Sequence, residues 1–535
     1  MHPFTDNEPA WWRQAVTYQI YIRSFSDTDA DGIGDLGGVR SRLSYLSELG
    51  VDAIWLNPFY PSPQSDHGYD VADYTDVDPA YGSLADLAAL VADAHALGMK
   101  VLVDIVPNHC STTHPYFAAA LAAGPASPER ARFHFANGRG DQPPNNWRSM
   151  FGGPAWTRVP DGQWYLHLFT PNQPDWNWRH PEVPAMFEEI LRFWLDRGVD
   201  GFRIDAAQGL FKHPDLPDAV DPFEEERVAD AANALAWNQP EVLDIYASWR
   251  TIADRYASCS GTDRVLIGEV TGIGQRHLAD YIGPERLHQA FFFGLLGAPF
   301  DAHQLRQRIV EGLETADATG SSAAWALGNH DTVRVVTRYA GGSPGHGSGD
   351  VERGTARARA AILLLLSLPG AAYLYQGEEL GLPEFVDLPD ERITDPIYVR
   401  TEGVRRGRDG CRVPLPWYGR VAPFGFSHVA DTWLPQPEYF EQFTVEREVA
   451  DLDSTWHLYR AALQVRHEQL KADPPLRWLQ QAPGVLAFAR GDGFVFALNT
   501  TDDALPAPCP GEPVLASGTV GSGKLPGNTA AWWIV

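Results

Sequence analysis

Apolar residues along the first half of the chain recur in one repeating phrase. A stretch with helical spacing ends at a glycine, and an apolar run follows within two residues. "SRLSYLSELG" leads into "VDAIWLNPF", "LADLAALVADAHALG" into "MKVLVDIVPNH", and "FEEILRFWLDRG" into "VDGFRIDAA". The helical spacing predicts helices with one buried face. Gly50, Gly98 and Gly198 fall where those helices stop, a place that favours positive φ. Runs that are β-branched and apolar on both faces predict parallel strands covered by helices.

Read through the chain, this pattern predicts eight strands. They cover Val16–Tyr21, Ala53–Asn57, Val101–Val106, Gly201–Ala206, Val265–Val270, Ala290–Phe293, Ala324–Gly328 and Ala372–Tyr375. Helical patterns lie between most of them. Eight alternating units imply an α/β fold of the (β/α)8 TIM barrel type rather than a doubly wound sheet. The connection after the third strand is too long for one helix, and it is rich in Pro, Gly, Asn and Trp. It predicts a small inserted domain at 108–174, so that the barrel comprises 1–107 and 175–470. A loop-rich subdomain is expected at about 380–440. Short strands such as "VLAFAR", "GFVFALN" and "AAWWIV" predict a C-terminal β-sandwich domain at 471–535.

Composition narrows the function. Lys and Arg total 42 against 69 Asp and Glu, a net charge of −27. That balance argues against a nucleic-acid binder and against a partner of anionic membranes. The 18 Trp suit a protein that packs rings against sugar faces, as well as ordinary core packing. Cys110, Cys259, Cys411 and Cys509 show no metal-binding spacing. The N-terminus lacks a basic-then-apolar leader, and no run approaches a membrane span. The expectation is a cytoplasmic protein with free thiols and no membrane partner. Its oligomeric state stays open.

Charges then gather where the strands end. In "GFRIDAA", Arg203 and Asp205 share one face of a core strand, which is costly unless they pair or act. The third strand ends in Asp104, Asn108 and His109, the fifth in Glu269, and the seventh in His330 and Asp331. One Asp at a strand end would simply cap the next helix. Four strand ends with acid or His point instead to a catalytic mouth, since barrel enzymes build sites from these ends. Convergent carboxylates without a metal-type His set suit glycoside chemistry. Arg203 is expected to hold Asp205 ionised as nucleophile. Burial is expected to raise Glu269 as general acid. Asp331 is left to stabilise the positive charge of the transition state.

Acid residues also alternate in "DTDADGIGD". Asp27, Asp29, Asp31 and Asp35 take positions one, three, five and nine of an EF-hand-like loop, with Gly32 at six and the Ile33 carbonyl at seven. Such oxygens suit a structural Ca²⁺, with Mg²⁺ as the alternative. Position twelve is Gly38, so the loop is no EF-hand. No organic cofactor is expected.

In order and in register, these stretches resemble the four sequence regions of the α-amylase family of retaining glycoside hydrolases. The resemblance implies that Asp205, Glu269 and Asp331 are nucleophile, acid/base and stabiliser, and that His109, Arg203 and His330 contact the sugar. "SDHGYDVADY", "QPDWNW", "GRDGCRVPLPW" and "YQGEELG" resemble the α-glucosidase and oligo-1,6-glucosidase branch. There Asp66 would bind terminal hydroxyls, Tyr69 would stack under the ring, and Arg408 would pair with Asp66. A pocket closed by that pair implies exo action. Trp176 departs from the Leu usual in that branch. Enzymes of the branch acting on α-1,6 bonds usually place Val after the nucleophile. Ala206 therefore implies α-1,4 bonds in a small α-glucoside substrate; a covalent glucosyl-Asp205 intermediate, open to water or to a hydroxyl, implies transglucosylation as well. Sucrose hydrolysis, a glucosyl-transferring isomerase acting on sucrose or trehalose, and an oligo-1,6-glucosidase are the alternatives. The branch's non-catalytic relatives carry a membrane span and lose catalytic carboxylates, unlike this chain.

Overall fold

Alternation along each strand decides which side chains face the barrel axis. In the computed structural model, which describes residues 10–220, 235–271, 275–521 and 523–535, the barrel strands are β1 (Val16–Ile20), β2 (Ala53–Leu56), β3 (Lys100–Ile105), β4 (Gly201–Ile204), β5 (Val265–Gly268), β6 (Gln289–Ala290), β7 (Ala324–Ala326) and β8 (Ala371–Tyr375). Residues 1–9, part of the N-terminus read above for targeting signals, lie outside the described residues. The strands pair in parallel in the order β7-β8-β1-β2-β3-β4-β5-β6. A parallel bridge between Phe291 and Ala324 closes the ring.

One alternating set packs outward against helices. Val101, Val103 and Ile105 of β3 and Phe202 and Ile204 of β4 join that large core. The other set fills the barrel, where Trp55, Leu102, Val265, Ile267, Phe291 and Tyr373 form a separate cluster. Asp104 and Arg203 belong by parity to this inner set, and they stand opposite each other in register. Helices Leu43–Leu49, Leu84–Ala96 and Glu182–Leu195 cover the outside where the apolar spacing placed them. Ser83 and Asp86 close a capping box on the second. Gly50, Gly98 and Gly198 take φ of 99°, 82° and 90°.

Some strands are shorter than the sequence implies. The sixth, expected over Ala290–Phe293, is only Gln289–Ala290, and Phe293–Leu296 forms a helical turn. In the run "FFF", Phe291 joins the inner cluster and bridges to Ala324, Phe292 joins the outer core, and Phe293 begins the helical turn. The fourth stops at Ile204 because Ala206 turns into the left-handed region, φ 43°.

The long connection after β3 holds a three-stranded antiparallel sheet with Gln163–Leu166 between Phe135–Asn137 and Trp156–Arg158. At the C-terminus, an antiparallel sheet of Leu476–Trp478, Val485–Arg490, Phe494–Asn499, Thr529–Ile534 and Leu515–Ala516 packs on helix Val351–Ser367. Trp532 Nε1 donates to the Leu363 carbonyl at 3.1 Å, and Arg490 to that of Ser367 at 2.6 Å. The four cysteines are free. Among the described residues no helix is long and apolar enough to cross a membrane.

Candidate active site

The strand ends bring most of the expected residues to one cavity of about 200 Å³, small for a ligand cleft and on the scale of one sugar ring. Asp66, Tyr69, His109, Asp205, Glu269, Asp331 and Arg408 line it. Backbone bonds fix the nucleophile region between neighbours. The Asp205 amide donates to the Ile105 carbonyl at 2.9 Å, the Glu269 amide to that of Ile204 at 2.9 Å, and the Ala207 amide to that of Glu269 at 2.8 Å.

Arg203 and His330 stand behind the lining. Arg203 is fully buried and binds Asp104 at 2.7 Å, Asp205 at 2.9 Å and, with its other arm, Glu269. One guanidinium thus serves three carboxyls. The expected division of roles by environment is not what the structure shows. The Glu269 and Asp205 side chains are similarly shielded, 14% and 12% exposed, so burial does not set them apart. Nor does Arg203 leave Asp205 an ordinary acid. Burial pushes the Asp205 carboxyl well above the usual range, Arg203 opposes this, and Glu269, Asp104 and Asp331 add to the rise. Burial, against the pull of Arg203, also lifts Asp104 to about 6. With three carboxyls on one cation, Asp205 and Asp104 favour holding a proton.

Asp331 has the opposite balance. Burial raises its carboxyl, but the charges of Arg408 and Arg412 outweigh it and hold the group well below the usual range. His330 is itself kept neutral by burial, so the arginines at 3.2 and 2.6 Å carry the effect. His330 stacks on Tyr69 with ring centres 5.4 Å apart, and Tyr69 Oη lies 2.7 Å from its Nε2.

Arg408 reaches Asp66 at 2.8 Å and Asp395 at 2.7 Å. Both Arg408 and Asp66 line the cavity, paired as the resemblance implied. Burial pushes Asp66 up to about 6 despite Arg408 and Arg412. Gln173 Nε2 donates to Asp66 at 3.0 Å and lies 3.1 Å from His109 Nε2. His109 is held neutral, down to about 3, by burial.

Several residues escaped sequence reasoning. Asp395 and Arg412 complete the charge cluster around Arg408 and Asp331; Arg412 lay inside the quoted "GRDGCRVPLPW", and Asp395 had no local signal. Lys212 is fully buried, and its ammonium binds Asp175 at 2.9 Å, Asn108 at 2.8 Å and the Gly209 carbonyl. It ties the two ends of the insert to the turn after Asp205. A lone lysine in a loop gives no hint of this. Trp176, where the branch usually has Leu, is buried against Phe133 of the insert, with rings stacked at 4.5 Å, and does not line the cavity.

The acidic loop brings Asp27, Asp29 and Asp35 together, with carboxylate oxygens within 4.8 Å. Asp31 is not in that group; it is exposed and accepts from the Ile33 amide at 2.7 Å. Backbone amides of Asp29, Ala30 and Gly32 orient the Asp27 carboxylate, and Asp35 accepts from Thr28 and Gly38. Burial and like charge push Asp29 upward. Three preset carboxylates short of positive charge fit a hard cation.

Known proteins resemble this chain over most of its length. The Alpha amylase, catalytic domain family matches residues 19–473. A "Probable alpha-glucosidase" of Rhizobium meliloti is 38% identical over 92% of this chain and 90% of its own. An "Oligo-1,6-glucosidase" of Parageobacillus thermoglucosidasius is 32% identical over 86% and 84%. Among solved structures, an alpha-glucosyl transfer enzyme superposes with a TM-score of 0.86 at 36% identity, over 98% of this chain and all of that one. The chain is therefore a glycoside hydrolase that belongs to the alpha-amylase family, in its α-glucosidase and oligo-1,6-glucosidase branch.

Proposed function

We propose that this enzyme is an exo-acting, retaining α-glucosidase that removes terminal α-1,4-linked glucose from maltose and short oligosaccharides. The observation that carries the reading is the Arg408–Asp66 pair, which closes the floor of a one-sugar pocket whose wall holds Asp205, Glu269 and Asp331. A terminal glucose fits such a pocket, and an internal residue of a chain does not.

Glu269 gives its proton to the leaving oxygen as Asp205 attacks the anomeric carbon, forming a glucosyl ester on Asp205. Arg203, bound to both, steadies the charge as it moves between them. Asp331, held ionised by Arg408 and Arg412, favours the positive charge that develops on the ring. Glu269 then takes a proton from water, which attacks the ester and releases α-glucose. A sugar hydroxyl in place of that water gives transfer, and the likeness to an alpha-glucosyl transfer enzyme supports this second outcome. Ala206 supports the α-1,4 preference.

Asp27, Asp29 and Asp35 would hold a structural Ca²⁺, which supplies the charge their loop lacks and takes no part in the reaction. The activity test is direct. Incubated with maltose, isomaltose, sucrose and trehalose, the enzyme is expected to cleave maltose fastest. Cleavage of none would overturn the activity, and faster cleavage of isomaltose the linkage preference.

A further inference from the structure

The cavity wall beside Ala206 is aromatic. Ala206 follows the nucleophile, and its amide lies 3.4 Å from the Glu269 carboxyl, so whatever borders Ala206 also borders the bond that breaks. Trp237 is 6% exposed, lines the cavity, and shares one buried cluster with Ala206. Its ring lies directly on the turn that Ala206 begins. A Cβ built on Gly209 would stand 2.8 Å from Trp237 Cζ3.

The ring is also fixed in place. The Asn238 amide donates to the Gln208 carbonyl at 2.7 Å, and the His213 amide to that of Leu235 at 2.6 Å. Tyr281 holds the Asn238 side chain at 2.7 Å. The buried Lys212 ammonium lies 5.7 Å from the ring centre, and Phe169 meets it edge-on at 6.2 Å. An aromatic face set this firmly is a platform, and a pyranose offers its apolar face to such a surface.

We propose that Trp237 is the specificity-determining residue on the aglycone side, and that Ala206 acts by leaving Trp237 its place. This rests on the α-glucosidase reading above. In an α-1,4 bond the second ring is attached directly to the glycosidic oxygen, so it lies against whatever borders that oxygen. An α-1,6 bond inserts a methylene, which carries the second ring off the platform. Ala206 has φ 43°, where a β-branched side chain is strained and would crowd the cluster that seats the indole.

The test compares kcat/KM for maltose and isomaltose in wild type, W237A, A206V and the double variant. A loosened fold lowers both substrates together, so the ratio reports the contact itself. W237A is expected to lower the maltose-to-isomaltose ratio about tenfold or more. A206V is expected to lower it in wild type and to have little further effect in W237A, since both act on one contact. A ratio unchanged in W237A would overturn the platform. Equal effects of A206V in both backgrounds would overturn the path through Trp237. If W237A is too unstable to assay, W237L serves with the same expectation. A wild type that prefers isomaltose would remove the underlying reading as well, whereas a maltose-preferring wild type with an insensitive W237A removes only the platform.

Discussion

The catalytic mouth and the loop at Asp27 both crowd carboxylates at one end of the barrel, and they neutralise them differently. In the mouth, Arg203 serves Asp104, Asp205 and Glu269, while Arg408 and Arg412 serve Asp66, Asp331 and Asp395. In the loop, backbone amides and the Thr28 hydroxyl hold Asp27 and Asp35, and no arginine pairs with them among the described residues. Arginines give fixed directions and leave a carboxylate able to do chemistry. Amides orient a carboxylate without cancelling its charge, which leaves room for a cation. At the insert junction Lys212 provides a third solution, a buried ammonium on Asp175 and Asn108.

Removing groups one at a time separates these solutions. D205A is expected to lower kcat by about 10⁴-fold or more, with the thermal midpoint nearly unchanged, because Arg203 keeps Asp104 and Glu269. Retained turnover would remove Asp205 from its role. R408A leaves Asp66, Asp331 and Asp395 to Arg412 alone. It is expected to cut kcat/KM for maltose by about 100-fold or more.

K212A strands the buried Asp175 carboxyl and is expected to cost about 3–5 kcal/mol of stability. R139A breaks only the exposed pair with Asp218 and is expected to cost little or nothing. Equal losses, read by chemical denaturation, would deny the buried pair its special weight.

The pH profile is a smaller probe. Asp205 attacks only when ionised, and its carboxyl is raised. Activity is therefore lost as pH falls through that raised value, above the ordinary carboxylate range of about 4. R203Q removes the opposing cation, so the acid limb of any residual kcat/KM is expected to move further up. Movement downward would contradict the charge balance. The smallest effect belongs to the loop. Ca²⁺ added to chelated protein is expected to raise the thermal midpoint, by about 2.7 kcal/mol of stabilisation at a hundredfold excess over Kd. D27N is expected to abolish that rise without abolishing turnover.

Much of this was legible because periodicity carries it. The barrel strands, the glycine stops and the inward parity of Arg203 follow from alternation and helical spacing. The short β6 was not, because Phe291 to Phe293 are apolar whether they pair in a ladder or pack in the core. Asp205, Glu269 and Asp331 were legible through their place at strand ends, but the charge balance among them was not, since it depends on Arg203 reaching three partners. Asp395, Arg412 and Lys212 meet their partners across 13 to 104 positions of sequence, and no local pattern marks such meetings. Asp31 fitted the alternation yet faces solvent, because its carboxylate turns back to the Ile33 amide.

In the proposed reaction Asp205 forms a covalent glucosyl ester that Glu269 then helps to break. The most direct test follows the anomer of glucose released from maltose by proton NMR in the first minutes, before mutarotation. Double displacement predicts α-glucose as the initial product. Initial β-glucose would mean a single displacement by water and would contradict the roles assigned to Asp205 and Glu269.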